Sequence, residues 1–356
     1  MMFPSFEVQR KPGLKMKDPD HHPAILPFTN CPALDGYHCV TNSLAKIFHH
    51  AGHPLSEDLL LGLGAGMGFI YWQMKMGFST SIFVGGRANV RHFFQDLGAR
   101  TGVQIREITS ASAAKAEATL LQALEHEQPV MLGGDMGFLP WLHFPAGYHF
   151  GGHTVLASDM EPQTAGLKKG LYAPISLEQL RKARSSPFKP FPPKNLRMEF
   201  DFAGFRTPGA KEIASSIEQT IDASLNPPIK NFGVEGLRHT ATQILKWPAL
   251  FKDGELRMNL FNLYVFIEIG GTGGGCFRYM YSRFLTEAAT ITGKSALAKA
   301  ATMFDQSGKK FCKVGQMFKN ADRMDDVEKK IHAASRLFLD IAEHEEEAFR
   351  FLKQSL

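Results

Sequence analysis

The stretch DGYHCVTNSLAKIFHHAG, residues 35–52, decides the fold expected for the first part of this chain. Its apolar residues recur at the spacing of one helical face, which predicts an amphipathic helix from about Cys39 to Ala51, ended by Gly52. The residues of that face are Val40, Leu44, Ile47, Phe48 and Ala51. A cysteine therefore stands where a turn gives way to the first turn of a helix.

Cys39 is a candidate nucleophile because of this position. A helix N-terminus carries a partial positive charge and unsatisfied N–H donors, and both favour a thiolate over a thiol. The same N–H groups can hold the oxyanion of a tetrahedral intermediate. The alternative is a buried structural cysteine, since free cysteine is among the most buried residue types.

A nucleophilic cysteine needs a base, and the segment HFGGHTVLA, residues 149–157, supplies one. His153 opens a predicted strand after two glycines that allow close approach of the chain, and His149 lies four residues earlier. A cysteine on an N-terminal helix followed by a histidine opening a later strand is the chain order of papain-like thiol enzymes. The alternative is that His153 only caps a strand, in a chain with 14 histidines.

Working outward, the 356 residues suggest two domains. Residues 1–28 are rich in proline and lysine and predict an arm. Residues 29–205 mix helix and strand signals, whereas residues 206–356 contain helical patterns and end in a long 3-4 apolar repeat broken by Glu345. The proline-rich segment 186–195 is the best linker candidate. We therefore expect an α+β domain followed by a mainly helical one.

Five segments resemble the butirosin biosynthesis protein H N-terminal domain family and the helical domain that often follows it. They are residues 38–72, 129–141, 149–157, 175–195 and 267–289, and those around Cys39 and His153 are the most specific. The resemblance implies a papain-like thiol fold redirected to acyl transfer, with Cys39 as nucleophile and His153 as base. The family's named member moves an aminoacyl group from a carrier-protein thioester to an amine of an aminoglycoside.

The third catalytic residue is less defined by the sequence. Asp159 follows His153 by six residues, which is about 20 Å on one straight strand, so it reaches the histidine only if the chain turns back. Asp135, at the end of PVMLGGD, is the competitor, and Asp159 is favoured slightly. Papain-like enzymes also place a glutamine shortly before the cysteine, and CPALDGYH has none. The oxyanion site must then be mostly backbone N–H, or come from elsewhere.

Other residues near these segments are candidates for substrate binding. They are Tyr37, His38, Gly66, Tyr71, Arg87, Asp135 and His149. Arg87 could clamp a carboxylate or phosphate, as could Arg278, but a structural ion pair is an equal alternative for each. The glycine-rich stretches at 62–68 and 270–275 fit no nucleotide-binding motif and are expected to line a pocket or the groove between domains. His49 and His53 lack the carboxylate of a zinc motif, so no metal is expected.

These observations predict a cysteine acyltransferase of natural-product biosynthesis, with a carrier-protein or other thioester as donor and a small-molecule amine as acceptor. A cysteine amidase or peptidase with the same pair is the first alternative, and a non-catalytic binding protein is the second. We expect no cofactor. The basic residues are scattered along the chain and the net charge is only +5, which argues against nucleic-acid binding. No apolar run is long enough to span a membrane. Four cysteines without close pairing and the lack of a secretion signal predict a cytoplasmic protein; a homo-oligomer is left open.

Overall fold

The computed structural model describes residues 34, 36–76, 79–142, 144, 147–158, 161–163 and 175–356. These residues form an α+β fold of seven strands and twelve α-helices. The strands are β1 (Met67–Met76), β2 (Ser79–Arg87), β3 (Gln104–Ile108), β4 (Val130–Gly134), β5 (His153–Ser158), β6 (Glu161–Gln163) and β7 (Arg197–Asp201).

The helices are unevenly distributed along the chain, and seven of them follow the last strand. They are α1 (Cys39–His50), α2 (Glu57–Leu63), α3 (Phe93–Thr101), α4 (Ala113–Glu125), α5 (Leu177–Ser185), α6 (Ala210–Leu225), α7 (Gly233–Ile244), α8 (Trp247–Leu250), α9 (Asp253–Tyr264), α10 (Arg278–Thr292), α11 (Ser295–Met317) and α12 (Val327–Ser355). A π-helical turn, Val265–Ile269, extends α9. No helix in the described ranges is long and apolar enough to cross a membrane.

A five-stranded sheet with the order β3-β7-β4-β5-β6 organises the first part of the chain. Its pairs are antiparallel, and Gly134, the last residue of β4, lies opposite His153, the first of β5. Helix α1 packs against β5, and its predicted apolar face is buried except at the two ends. This packing brings the start of α1 and the start of β5 together.

The hairpin of β1 and β2 connects the N-terminal part of the fold to the helical part. Strand β1 packs against α7, and the Tyr71 N–H donates to the Asn231 carbonyl at 2.9 Å. On β2, the Ile82 N–H donates to Asn259 Oδ1 of α9 at 2.8 Å. Each of these bonds joins a strand backbone to the helical region, so the hairpin is shared by both parts.

Close packing of α2 on α10 adds a second connection. A Cβ placed on Gly62 would lie 2.2 Å from the Phe284 ring, so only a glycine lets the two helices approach this far. At the start of α2, Asp58 accepts two bonds from Arg283 at 2.7 and 2.9 Å.

The long C-terminal helix confirms the predicted apolar repeat and explains its interruption. Residues such as Ile331, Phe338 and Ile341 are buried along α12, and so is Glu345. The Glu345 carboxylate accepts hydrogen bonds from Arg278 Nε at 2.7 Å and Arg278 Nη2 at 2.8 Å, and both side chains are 1% exposed. Of the two alternatives left for Arg278, the structure shows the ion pair.

Glycines at and near the end of α3 have different structural roles. Helix α3 continues through Gly98 to Thr101 and ends before Gly102, which has φ +76°. A Cβ on Gly98 would meet the Val103 carbonyl oxygen at 2.6 Å, so that glycine serves close packing. The segment 186–195 connects α5 to β7, which pairs with β3 and β4 inside the sheet.

Candidate active site

The nucleophile candidate lies at the junction that α1 and β5 create. Cys39 is the first residue of α1 and is half-buried. The His153 side chain and the Thr154 backbone N–H, both at the start of β5, act on its sulfur and favour the ionised thiol. Burial by itself raises the pKa of the Cys39 thiol, but His153, the Thr154 N–H and Arg87 outweigh it and leave the pKa lowered. The thiolate is therefore favoured at this position.

His153 is held for this contact by the sheet. It is 9% exposed, and the β4–β5 register places it beside Gly134. Its Nε2 is buried and has no hydrogen-bond partner among the residues that the structure describes. One ring nitrogen thus remains for an orienting group. Asp159, the predicted third residue, lies outside the described residues.

Asp135 does not orient His153. Its fully buried carboxylate pairs with Nδ1 of His149 at 2.9 Å and accepts from Ser186 Oγ at 2.5 Å. It also accepts the backbone N–H groups of Gly137 and Phe150, each at 3.0 Å. These partners outweigh burial, which opposes ionisation, and lower the pKa of Asp135. The role of third catalytic residue left open for Asp135 is wrong, because this carboxylate fastens the loop between β4 and β5.

His149 is consequently a partner of Asp135. Its ring is stacked on Phe188 with centroids 3.5 Å apart. Phe188 belongs to the connection between α5 and β7 and is 44% exposed, as Tyr148 is at 40%. The predicted substrate-binding residues Asp135 and His149 thus share one cluster that leads directly into the His153 strand.

His38, the residue directly before Cys39, is in contact with Arg87. His38 caps α1, and Arg87 ends β2. Arg87 Nη1 lies 3.0 Å from Nε2 and 3.3 Å from Nδ1 of His38, while its guanidinium covers the Phe93 ring at 4.5 Å. Burial lowers the pKa of Arg87 to about 10, opposed by the charge of Cys39. Burial, Arg87 and His153 lower the pKa of His38 well below its usual range, so its ring is neutral.

Glu57 fixes the backbone that precedes the cysteine, a role that the sequence analysis missed. Its carboxylate accepts the N–H groups of His38 at 2.8 Å and Tyr37 at 3.0 Å, and the Thr41 hydroxyl at 2.9 Å. Burial raises the pKa of Glu57 despite these bonds. Its position, directly after the helix cap Ser56, was the available signal, because acidic residues favour the first turn of a helix.

The helical region supplies a wall of the site. Phe277 meets His38 edge to face with ring centroids 5.2 Å apart. A Cβ on Gly273 would lie 3.2 Å from the Tyr37 ring, and one on Gly271 would lie 3.5 Å from the Tyr37 carbonyl oxygen. Arg283 covers the half-exposed Tyr37 ring at 4.8 Å. The predicted glycine-rich stretch 270–275 is thus packed against the residues directly before Cys39.

Two predicted substrate-binding residues fill core positions. Tyr71 is 2% exposed, accepts a hydrogen bond from Trp247 Nε1 at 3.3 Å and meets the His239 ring edge to face. Gly66 is buried in the turn before β1, where a Cβ would lie 2.8 Å from Leu61 and 2.9 Å from Phe93. Their contacts pack the β1 hairpin, which corrects the prediction that they line an open pocket.

The remaining histidines and cysteines of the described residues make other contacts. Within the described ranges, no three His, Cys, Asp or Glu side chains are grouped to hold an ion. His53, considered with His49 as a ligand, stacks on Phe205 at 4.0 Å. The described cysteines Cys39, Cys276 and Cys312 are free.

A cysteine at the start of a helix beside a histidine at the start of a strand defines a thiol–imidazole site. Residues 38–166 match the family described as butirosin biosynthesis protein H, N-terminal. Residues 178–352 match a separate domain of unknown function, DUF4872. No curated protein matches the chain. Both Cys39 and His153 lie inside the first match.

Proposed function

We propose that the chain is a thiol-dependent acyltransferase that moves an acyl group from a thioester to an amine through Cys39. The observation that carries the proposal is the position of Cys39 at a helix N-terminus, where a buried His153 and the Thr154 N–H act on its sulfur and favour the thiolate. The matched family's description refers to biosynthesis, which supports an enzyme. A papain-like arrangement of α1 and β5 belongs to the same proposal.

The chemistry needs one nucleophile and one proton carrier. The Cys39 thiolate attacks the thioester carbonyl, and the intermediate collapses by releasing the donor thiolate, which takes the proton of the His153 imidazolium. An amine then attacks the Cys39 acyl thioester and gives its proton to His153. The acyl–sulfur bond breaks, and the Cys39 thiolate is restored beside protonated His153. Exchange between thiol and thioester needs little driving force, which suits a carrier-protein donor and a small amine acceptor.

Intact-protein mass spectrometry tests the proposal directly. Wild-type protein is incubated with a panel of acyl-pantetheine thioesters, beside the variants Cys39→Ser and Cys312→Ser. Cys312 is the matched control, because it is half-buried and burial raises its thiol pKa to about 11. We expect an acyl adduct in wild type and in Cys312→Ser, none in Cys39→Ser, and discharge of the adduct by added amines.

The other outcomes identify the alternatives. An adduct lost at the same rate with and without amines indicates a hydrolase that uses the same two residues. The absence of an adduct from every donor, together with a Cys39 thiol titrating near the ordinary value of about 8.5, indicates a non-catalytic protein and overturns the proposal.

A further inference from the structure

Arg87 is a half-buried cation with an unusual set of neighbours. In the described part of the chain, the one opposite charge acting on its guanidinium is that of the Cys39 thiolate. Nη1 is used by His38, and Nε is buried without a partner. Nη2 makes no hydrogen bond with the described residues and, unlike Nε, is not a fully buried unpaired atom, so it is the guanidinium nitrogen free to bind another group. By contrast, the fully buried Arg278 is paired with the carboxylate of Glu345.

A chain of hydrogen bonds holds Arg87 in this position. Arginine can only donate, so the shorter contact, at 3.0 Å, makes Nε2 of His38 the acceptor. The proton of the neutral ring then lies on Nδ1, which donates to Thr41 Oγ1 at 3.2 Å. In this tautomer the longer contact of the Thr41 N–H with Nδ1, at 3.4 Å, is not a hydrogen bond. Thr41 Oγ1 in turn donates to Glu57 Oε1 at 2.9 Å. The tautomer is assigned from this network of hydrogen bonds. The network links the Arg87 guanidinium to the Glu57 carboxylate through His38 and Thr41.

During the proposed reaction, negative charge moves from one atom to another close to the Arg87 guanidinium. It begins on the Cys39 sulfur and passes to the carbonyl oxygen when the thiolate attacks. A fixed positive group that already faces the thiolate stabilises the oxyanion without rearrangement, and such preorganised groups contribute most in sites that exclude water. Papain-like enzymes use a glutamine before the cysteine for this purpose, and this chain has none in that position.

We infer that Arg87 stabilises the oxyanion formed on Cys39, and that His38, Thr41 and Glu57 are its positioning residues. The inference rests on the proposed function. A clamp for a substrate carboxylate, the role considered from the sequence, fits less well. Two-point recognition needs two adjacent guanidinium nitrogens, but Nε is buried and Nη1 is engaged by His38. One open nitrogen suits a single oxygen atom.

Two reactions of the same thiol separate this role from a structural one. Alkylation by iodoacetamide displaces iodide and forms no oxyanion, whereas p-nitrophenyl acetate acylates the thiol through one. Both rates are measured against pH up to the plateau at which Cys39 is fully ionised, after subtraction of Cys39→Ser. The activated ester requires no natural donor, so the test works even if every pantetheine thioester fails and the proposed function falls.

We expect Arg87→Met to raise the pKa of the Cys39 thiol and to lower the plateau rate of acylation roughly 10²- to 10³-fold. Its plateau rate of alkylation should be unchanged. Glu57→Gln keeps the acceptor for Thr41 and loses the charge, and should give a smaller loss in acylation alone. Arg91→Met, which removes an exposed cation four residues away, is the control and should change neither rate.

An equal loss in both reactions would show that Arg87 only supports the fold around Cys39, and an unchanged acylation plateau would show that it does not face the oxyanion. Either result overturns the inference. If Arg87→Met does not fold, Arg87→Lys keeps the charge without the planar fork. It should retain a thiol pKa near that of wild type while acylation alone is slowed.

Discussion

The buried pair of Arg278 and Glu345 permits a sharp test of how the helical region is held together. Glu345→Gln preserves the shape of the side chain but removes its charge, so the amide group faces the N–H groups of Arg278. Arg278 Nη1 keeps its carbonyl acceptors, Gly68 at 2.6 Å and Cys276 at 2.8 Å. What is lost is the two-point bond at 2.7 and 2.8 Å and its charge.

The size of the loss follows from burial. Both side chains are 1% exposed, so water cannot replace the missing partner. Each hydrogen bond to a charged group contributes about 1.5–3 kcal/mol, and removing one member of a buried ion pair costs about 3–5 kcal/mol. We therefore expect Glu345→Gln to lower the free energy of unfolding by about 3–5 kcal/mol. Urea unfolding followed by circular dichroism measures this value.

Two further variants make the result interpretable. Glu178→Gln breaks an ion pair with Lys182 on the surface of α5, where the side chains are 71% and 57% exposed, and should leave the urea midpoint nearly unchanged. The double variant Arg278→Met/Glu345→Leu removes both charges and should be more stable than Glu345→Gln. A loss below about 1 kcal/mol for Glu345→Gln, or a double variant less stable than it, would refute the argument that an unpaired buried cation dominates.

Three further predictions follow from the same structure. The rate of Cys39 alkylation should reach half its maximum at a pH below the ordinary thiol pKa of about 8.5. Cys312 should remain unreactive until far higher pH. Peptide mapping after pulse labelling at a series of pH values measures both. Gly62→Ala should lower the urea midpoint, because its Cβ would lie within the ring of the facing helix α10, while Gly254→Ala, with open space around it, should not. The pKa of Asp135 is lower in the folded protein than in the unfolded chain, where it is about 3.9. Ionised Asp135 therefore stabilises the fold at pH values above the unfolded pKa, and this stabilisation is lost as the pH falls through the folded pKa. Asp135→Asn should therefore be less stable at pH 7 and lose less on acidification, measured by urea midpoints; equal acid sensitivity would contradict this.

The sequence predicted features whose causes are local. The first helix could be placed from the spacing of its apolar residues, and β5 from HTVLA after two glycines. Chain order alone then suggested that Cys39 and His153 meet, and the structure brings them into contact. The interruption of the C-terminal repeat at Glu345 was visible, but its explanation required Arg278, which is 67 residues away in the chain.

Features that depend on distant partners could not be predicted. Strands β2, β3 and β7 were missed, and β3 shows why. Its residues alternate poorly between buried and exposed, and it becomes a strand by pairing with β7, in the register Gln104 to Asp201. Asp135 looked like a free strand-end carboxylate because its partners, His149 and Ser186, come from separate segments. Residue type suggested a function that these contacts exclude.

The contacts around Cys276 indicate that the helical region is part of the thiol site. Cys276 and Phe277 have φ of +55° and +70°, conformations that non-glycine residues rarely adopt and that cost about 1–3 kcal/mol each. They are held on both sides, because Phe277 packs on His38 and a Cβ on Gly86 would lie 2.3 Å from the Cys276 carbonyl oxygen. That same carbonyl accepts from Arg278. The ion pair of the helical region therefore supports the strained turn that packs beside His38, one residue before the nucleophile.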